Sequence, residues 1–169
     1  MNESQRFDRL PATEGDREDP DAADHRPTRA AVLEFWDDRY GVDPAAFEEY
    51  TFWERGKGKV WAFRGDLPSP VAIEALGITF LRTRGEHWKP TTDAVQRFGD
   101  HASENVVDLR PEQARRFLAG KDQEIPWDGD WGYLIAAHDL AGEREPIGVG
   151  LYLNGELRSQ VPRGRRRDL

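Results

Sequence analysis

Between Gly148 and Arg167 the chain reads GVGLYLNGELRSQVPRGRRR, and the chemistry of this stretch lies in its arginines. Arg158, Arg163, Arg165, Arg166 and Arg167 carry permanently charged planar guanidinium groups, which match phosphate oxygens in pairs. A second set is the loop Gly56-Lys57-Gly58-Lys59, whose glycines allow close backbone approach and whose lysines supply charge. It lacks the spacing and the Gly-Lys-Ser/Thr ending of a P-loop, and a plain hairpin turn would need no ligand. In a third set Arg82, Arg84 and Lys89 surround Trp88, the pairing of cations with an aromatic face that suits phosphate contact and base stacking. Tryptophan is also a common core residue.

Catalytic and metal-binding arrangements are weaker. His25, His87, His101 and His138 have no paired spacing of the kind a zinc site uses. Glu86-His87 and Asp100-His101 offer acid/base pairs only in the sense that any acidic chain does. Asp128 and Asp130, beside Trp127 and Trp131, could hold a cation or simply form a solvated turn. No metal or cofactor is expected.

The elements that must position the three basic sets can be read in order. Residues 1–28 are rich in Asp, Glu, Arg and Pro without apolar periodicity and are expected to form a disordered acidic tail. The spacing of Val32, Leu33, Trp36 and Tyr40 predicts a helix from Arg29 to Arg39, closed by Gly41. A short helix follows over Asp43 to Glu49, with Asp43 as cap and Pro44 in the first position. From Tyr50 the period becomes two, giving two strands around the Gly-Lys-Gly-Lys loop with Phe52, Val60 and either Ala62 or Phe63 inward. Ser69-Pro70 and Gly77 bound an expected helix over Val71 to Leu76, before a strand from Gly77 to Thr83 and a helix from Asp93 to Phe98. From Asn105 a second unit begins. It has a strand at Val106 to Leu109, a helix at Pro111 to Ala119 and a strand at Trp131 to Ala137. The final hairpin turns at Asn154-Gly155, the pair that tolerates positive φ. Gly148, Gly150, Gly155 and Pro162 are the structural positions of this hairpin.

Composition limits the function classes. The net charge is −8, there is no cysteine, and only Lys57, Lys59, Lys89 and Lys121 are lysines. Such an acidic, arginine-over-lysine exterior is expected for a cytoplasmic protein of a halophilic organism. No apolar run approaches a membrane span. The charge is unevenly spread: residues 51–97 carry +3 and 158–169 carry +4, against −3 over 1–29, −5 over 30–50 and −7 over 98–157. Two basic islands in an acidic chain are the candidate polyanion-binding surface, expected to converge into one groove.

The segment WKPTTDAVQRFGDHASENVVDLRPEQARRFLAG, with WGYLIAAHDL and PIGVGLYLNGELRSQVPRGRR after it, resembles a known module. It is similar to the PUA-like RNA-binding domain at the C-terminal end of Nop/Sun-type RNA cytosine-C5 methyltransferases, including the rRNA small subunit methyltransferase F type. A pre-PUA module followed by a PUA-like one is also similar to archaeal ribosome-biogenesis factors. The resemblance covers about Ile78 to Arg167, its most specific piece being G-x-G, the Asn-Gly turn and the basic ending. It implies binding of structured RNA, and on matching positions it singles out Lys89, Gly148, Gly150, Gly155, Arg158, Pro162, Arg163 and Arg165. Cytosine-C5 methylation uses a cysteine nucleophile, which this chain lacks, and no glycine-rich loop follows an early strand to hold a methyl donor.

The expected fold is α+β: an N-terminal α/β pre-PUA-like module over 29–104, then a small mixed PUA-like β-barrel with short helices over 105–169. The expected function is noncatalytic RNA binding by a monomer, on rRNA or tRNA, in RNA modification or ribosome biogenesis. Its expected partners are structured RNA and a separate RNA methyltransferase or ribosomal protein. The alternatives are a protein-interaction subunit that touches no RNA and a small enzyme with a ligand in the barrel mouth.

Overall fold

Aromatic side chains organise the first half of the chain. The computed structural model describes residues 6–17 and 26–167, which divide into two compact units, 1–89 and 90–169. In the first unit, strand β1 (Arg6–Arg9) and a 3-10 turn at Glu14–Asp16 precede helix α1 (Arg29–Tyr40). Thr28 caps that helix, its hydroxyl oxygen accepting from the Ala31 amide at 3.0 Å, and Gly41 ends it with φ 65°. A 3-10 turn at Pro44–Phe47 leads into β2 (Tyr50–Glu54) and β3 (Lys59–Arg64). Then come β4 (Val71–Ala72), β5 (Ile78–Arg82) and β6 (Lys89–Pro90). The sheet order is β4-β1-β2-β3-β5-β6.

Period-two alternation in β2 and β3 sends large residues to both faces, and both are covered. On one face Trp36 of α1 stacks on Phe80 at 5.2 Å, Phe80 stacks on Phe52 at 5.0 Å, and Phe47 packs edge-on against both. On the other, Phe7, Trp53 and Leu76 are buried, with Trp61 and Phe63 against them. Ala62 faces the first core and Phe63 the second, so both candidates have an apolar environment.

Two expectations are corrected here. Residues 6–17 are structured: β1 pairs with β2 and β4, and Phe7 and Leu10 are buried. A four-residue strand has too few positions to show a period, and burial of Phe7, worth about 1.5–3 kcal/mol, is a long-range gain. Residues 1–5 and 18–25 of the expected tail lie outside the described residues. Val71 to Leu76 is not helical; Val71 pairs with Phe7, and the segment continues as bends. Six residues gain little from helix propagation after the cost of nucleation, so the strand pairing prevails.

The second unit opens with α2 (Thr92–Phe98), capped by the Thr91 hydroxyl, which accepts from the Ala94 amide at 3.1 Å. It continues with β7 (Val106–Leu109), α3 (Pro111–Leu118), β8 (Gln123–Glu124), β9 (Gly132–Leu140), β10 (Glu143–Leu153) and β11 (Glu156–Ser159). The strands form a mixed sheet of order β7-β9-β10-β11-β8, in which β7 and β9 run parallel. Leu134, Ile135, Ala136 and Ala137 of β9 are all buried, because both faces are covered. Phe117 of α3 packs with Leu134, Ala136 and Leu157, while α2 lies on β10 and Gly99 abuts Ile135 and Pro146. This packing of α2 places the break between units after Lys89, fifteen residues before the expected 104/105 boundary.

The protein is therefore α+β, with two sheets and short helices. The hairpin β10–β11 turns at Asn154-Gly155, with φ 54° and 80°, both positive as a tight right-twisting hairpin requires.

Candidate nucleic-acid interface

In the first unit the β2–β3 turn gathers cations. Lys59 lies directly across from Arg82 in the β3–β5 ladder, and the Thr83 amide donates to the Gly58 carbonyl at 3.0 Å. Gly58, at φ 75°, packs so tightly on Arg84 that a Cβ would come within 2.7 Å of the Arg84 Cβ. This contact fixes the Lys57 turn beside Arg84. Lys57, Lys59, Arg82 and Arg84 are exposed, and among the described residues none of the four forms an ion pair or a side-chain hydrogen bond. Lys89 is half-buried next in the sheet, and burial first, then repulsion by Arg82, pushes its ammonium pKa below the usual value. Trp88 is partly buried with its ring 5.5 Å from that of Phe35, so one side of the indole belongs to the fold.

In the second unit the hairpin arginines are largely engaged. Arg158 Nε donates to Glu156 at 3.0 Å, and Arg165 donates to Asp93 at 2.7 Å; the second pairing raises the Arg165 pKa. Arg166 Nε donates to the Val161 carbonyl at 3.3 Å and lies against Gly120, where any Cβ would overlap its guanidinium. The Arg167 amide donates to the Leu118 carbonyl at 2.8 Å, and one side-chain nitrogen donates to the Arg166 carbonyl. Pro162 precedes a 3-10 turn at Arg163–Arg165, its carbonyl accepting from the Arg165 amide at 2.8 Å. Among the described residues Arg163 and Arg167 have no carboxylate partner.

The tail is thereby tied to the C-terminal end of α3, which adds three cations that charge counting by segment passed over: Arg115, Arg116 and Lys121, all exposed. Their segment carries −7 in total, which hides them. The signal was present in the helix period, since Ala114 and Phe117 inward force Arg115 and Arg116 outward.

The glycines under the tail make space for side chains. A Cβ on Gly148 would come within 2.9 Å of the Phe117 ring, and one on Gly150 within 2.5 Å of Leu157 Cδ1. The Gly155 carbonyl accepts from the Ile125 amide at 3.2 Å, holding the turn to the start of the loop after β8.

The alternative chemistries find structural explanations. His138 Nδ1 lies 2.9 Å from the Leu109 carbonyl oxygen, which can only accept, so this nitrogen carries the proton. His101 and Asp100 are exposed neighbours 3.9 Å apart. The Trp127 indole donates to the Asp130 carbonyl at 3.0 Å, closing a turn around Gly129. Among the described residues no three His, Asp or Glu side chains converge as metal ligands, and no helix is long and apolar enough to cross a membrane.

The second unit is a PUA-like, β-rich module, and its sequence relationships agree with its fold. Residues 104–167 match the family model of the methyltransferase RsmF PUA domain, and residues 1–77 match a family of unknown function, DUF7122. The chain is 23% identical over 113 residues to ribosomal RNA small subunit methyltransferase F of Aeromonas salmonicida, covering 65% of this chain and 23% of that protein. It is 24% identical over 131 residues to the protein of that name from Photobacterium profundum, covering 71% of this chain and 25% of that protein. The chain thus spans about a quarter of the length of these curated relatives.

Proposed function

We propose that this chain is a noncatalytic RNA-binding protein that acts on rRNA or tRNA in RNA modification or ribosome biogenesis. The observation that carries this reading is the similarity of residues 104–167 to the PUA domain of an rRNA methyltransferase, on a unit whose α3 end and tail expose Arg115, Arg116, Lys121, Arg163 and Arg167. Exposed guanidinium and ammonium groups without carboxylate partners are free to replace counterions on phosphate. Arg158 and Arg165 serve first to hold the tail and reach phosphate only by exchanging a carboxylate. These residues include no cysteine to attack a cytosine ring, so in this reading they bind RNA and do not themselves transfer a methyl group.

A fluorescein-labelled hairpin of small-subunit rRNA, titrated with the protein at several salt concentrations, tests the reading. The expected result is saturable binding that weakens as salt rises, and at least tenfold in R163E/R167E. Equal binding by that variant contradicts a phosphate role for the tail. One observation favours a protein-docking reading instead: Trp131 and Leu140 of the second unit are 57% and 53% exposed. In that reading the same titration shows no RNA binding at any salt.

A further inference from the structure

We propose that the first unit carries its own binding site for the phosphodiester backbone of RNA, formed at the β2–β3 turn by Lys57, Lys59, Arg82 and Arg84. This inference rests on the RNA-binding reading of the protein but on different residues, which lie outside the match to the PUA domain at residues 104–167.

The site is recognised by an imbalance. Lys59 and Arg82 are cross-strand neighbours, a placement in which like charges repel and destabilise the sheet. The chain has carboxylates in excess, with 32 Asp and Glu against 24 Lys and Arg, and elsewhere in this unit it pairs Arg9 with Asp66 and Arg64 with Glu49. Yet the four cations around this turn have no such partner among the described residues. A protein that neutralises arginines elsewhere on the same sheet keeps this end unneutralised, and the free end is held in a defined geometry. Gly58 locks against the Arg84 backbone, and the Thr83 amide bonds the Gly58 carbonyl, so the cations sit on a rigid strand end rather than a floppy loop. The half-buried Lys89 ammonium, disfavoured first by burial and then by Arg82, adds a fifth charge, and a bound phosphate would offset the Arg82 repulsion. An external polyanion therefore gains more here than at an isolated surface lysine.

Phosphate spacing suits RNA over a single small anion, because the cations are spread along two strand ends and their turns instead of converging on one point. The partly exposed Trp88 beside Lys89 adds aromatic surface of the kind on which an unpaired base stacks.

The test compares three full-length proteins: wild type, K57E/K59E/R82E and R163E/R167E. Each is titrated against the labelled rRNA hairpin and, separately, against phosphatidylglycerol vesicles, with salt varied. The expected result is at least tenfold weaker RNA binding by the triple variant and a slope of log affinity against log salt shallower by about 2, at roughly 0.7 to 0.9 per lost phosphate contact. Thermal melting should show the triple variant folded, with a midpoint close to wild type, since two carboxylates facing each other across the β3–β5 ladder repel as the two cations do. Unchanged RNA binding by the folded triple variant, with loss only in the tail variant, overturns this site and leaves the function of the second unit standing. Loss only in the triple variant supports the site and overturns the tail. Wild type that binds vesicles but not RNA overturns both.

Discussion

The two basic surfaces carry similar formal charge but spend it differently. At the β2–β3 turn Lys57, Lys59, Arg82 and Arg84 point outward unpaired, and two of them repel across a ladder. In the tail Arg158 and Arg165 hold carboxylates, and Arg166 holds a carbonyl while lying on Gly120. The first surface costs the fold stability and the second contributes to it. A count of cations in sequence measures neither; what matters for a polyanion is the fraction of charge that the protein has not already used.

This contrast can be broken most forcefully from beneath the tail. In Gly150→Ala the new methyl meets Leu157 Cδ1 at 2.5 Å and the Phe117 ring at 3.3 Å, so overpacking is expected to cost about 1–3 kcal/mol in urea denaturation. Smaller is Arg166→Ala, expected to lower stability by about 1 kcal/mol through loss of the Val161 bond and the Gly120 contact. Arg163→Ala should leave the denaturation midpoint in place and weaken RNA binding, which separates a fastening arginine from a contacting one. Asp93→Asn sharpens the comparison in the other direction. It removes the carboxylate charge that holds Arg165 and leaves at most a neutral hydrogen bond, at a stability change of about 0.2–1 kcal/mol, and should tighten RNA binding by up to about fivefold. Lys59→Glu turns the Lys59–Arg82 repulsion into a cross-strand attraction and is expected to raise stability by about 0.2–1 kcal/mol.

The smallest effect is on pH. Lys89 has a folded-state pKa below its ordinary 10.5, because burial and Arg82 disfavour the charged form. At neutral pH both folded and unfolded states are protonated, and the folded state bears the full penalty. As pH rises through the lowered folded-state pKa toward 10.5 the penalty is relieved, so stability gains with rising pH in that window. Alkaline melts of Lys89→Met against wild type should lose this gain, and those of Arg82→Gln should show a smaller one.

How legible the fold was follows from the range of the interactions. The Asn154-Gly155 turn, the Thr28 and Gly41 boundaries of α1 and the 3-10 turn after Asp43 are set by residues within a few positions of one another, and the sequence shows them. β1 and β4 exist because Phe7 meets Val71 across a sheet, a pairing no local period announces. Charge behaves alike: that residues 158–169 are basic is written in the chain, but that Arg165 meets Asp93, 72 positions away, is written only in the fold. Gly148 and Gly150 were legible as a close-approach motif, and the identity of what approaches, the Phe117 ring from α3, was not.

The measurement that bears most directly on the use of charge is a one-at-a-time neutralisation scan, read as the salt slope of rRNA-hairpin binding. Alanine at Lys57, Lys59, Arg82, Arg84, Arg163 or Arg167 should each flatten the slope by roughly 0.7 to 0.9, while alanine at Arg158, Arg165 or Arg166 should leave it unchanged. Equal flattening across all nine positions, or flattening confined to Arg158, Arg165 and Arg166, would contradict the account.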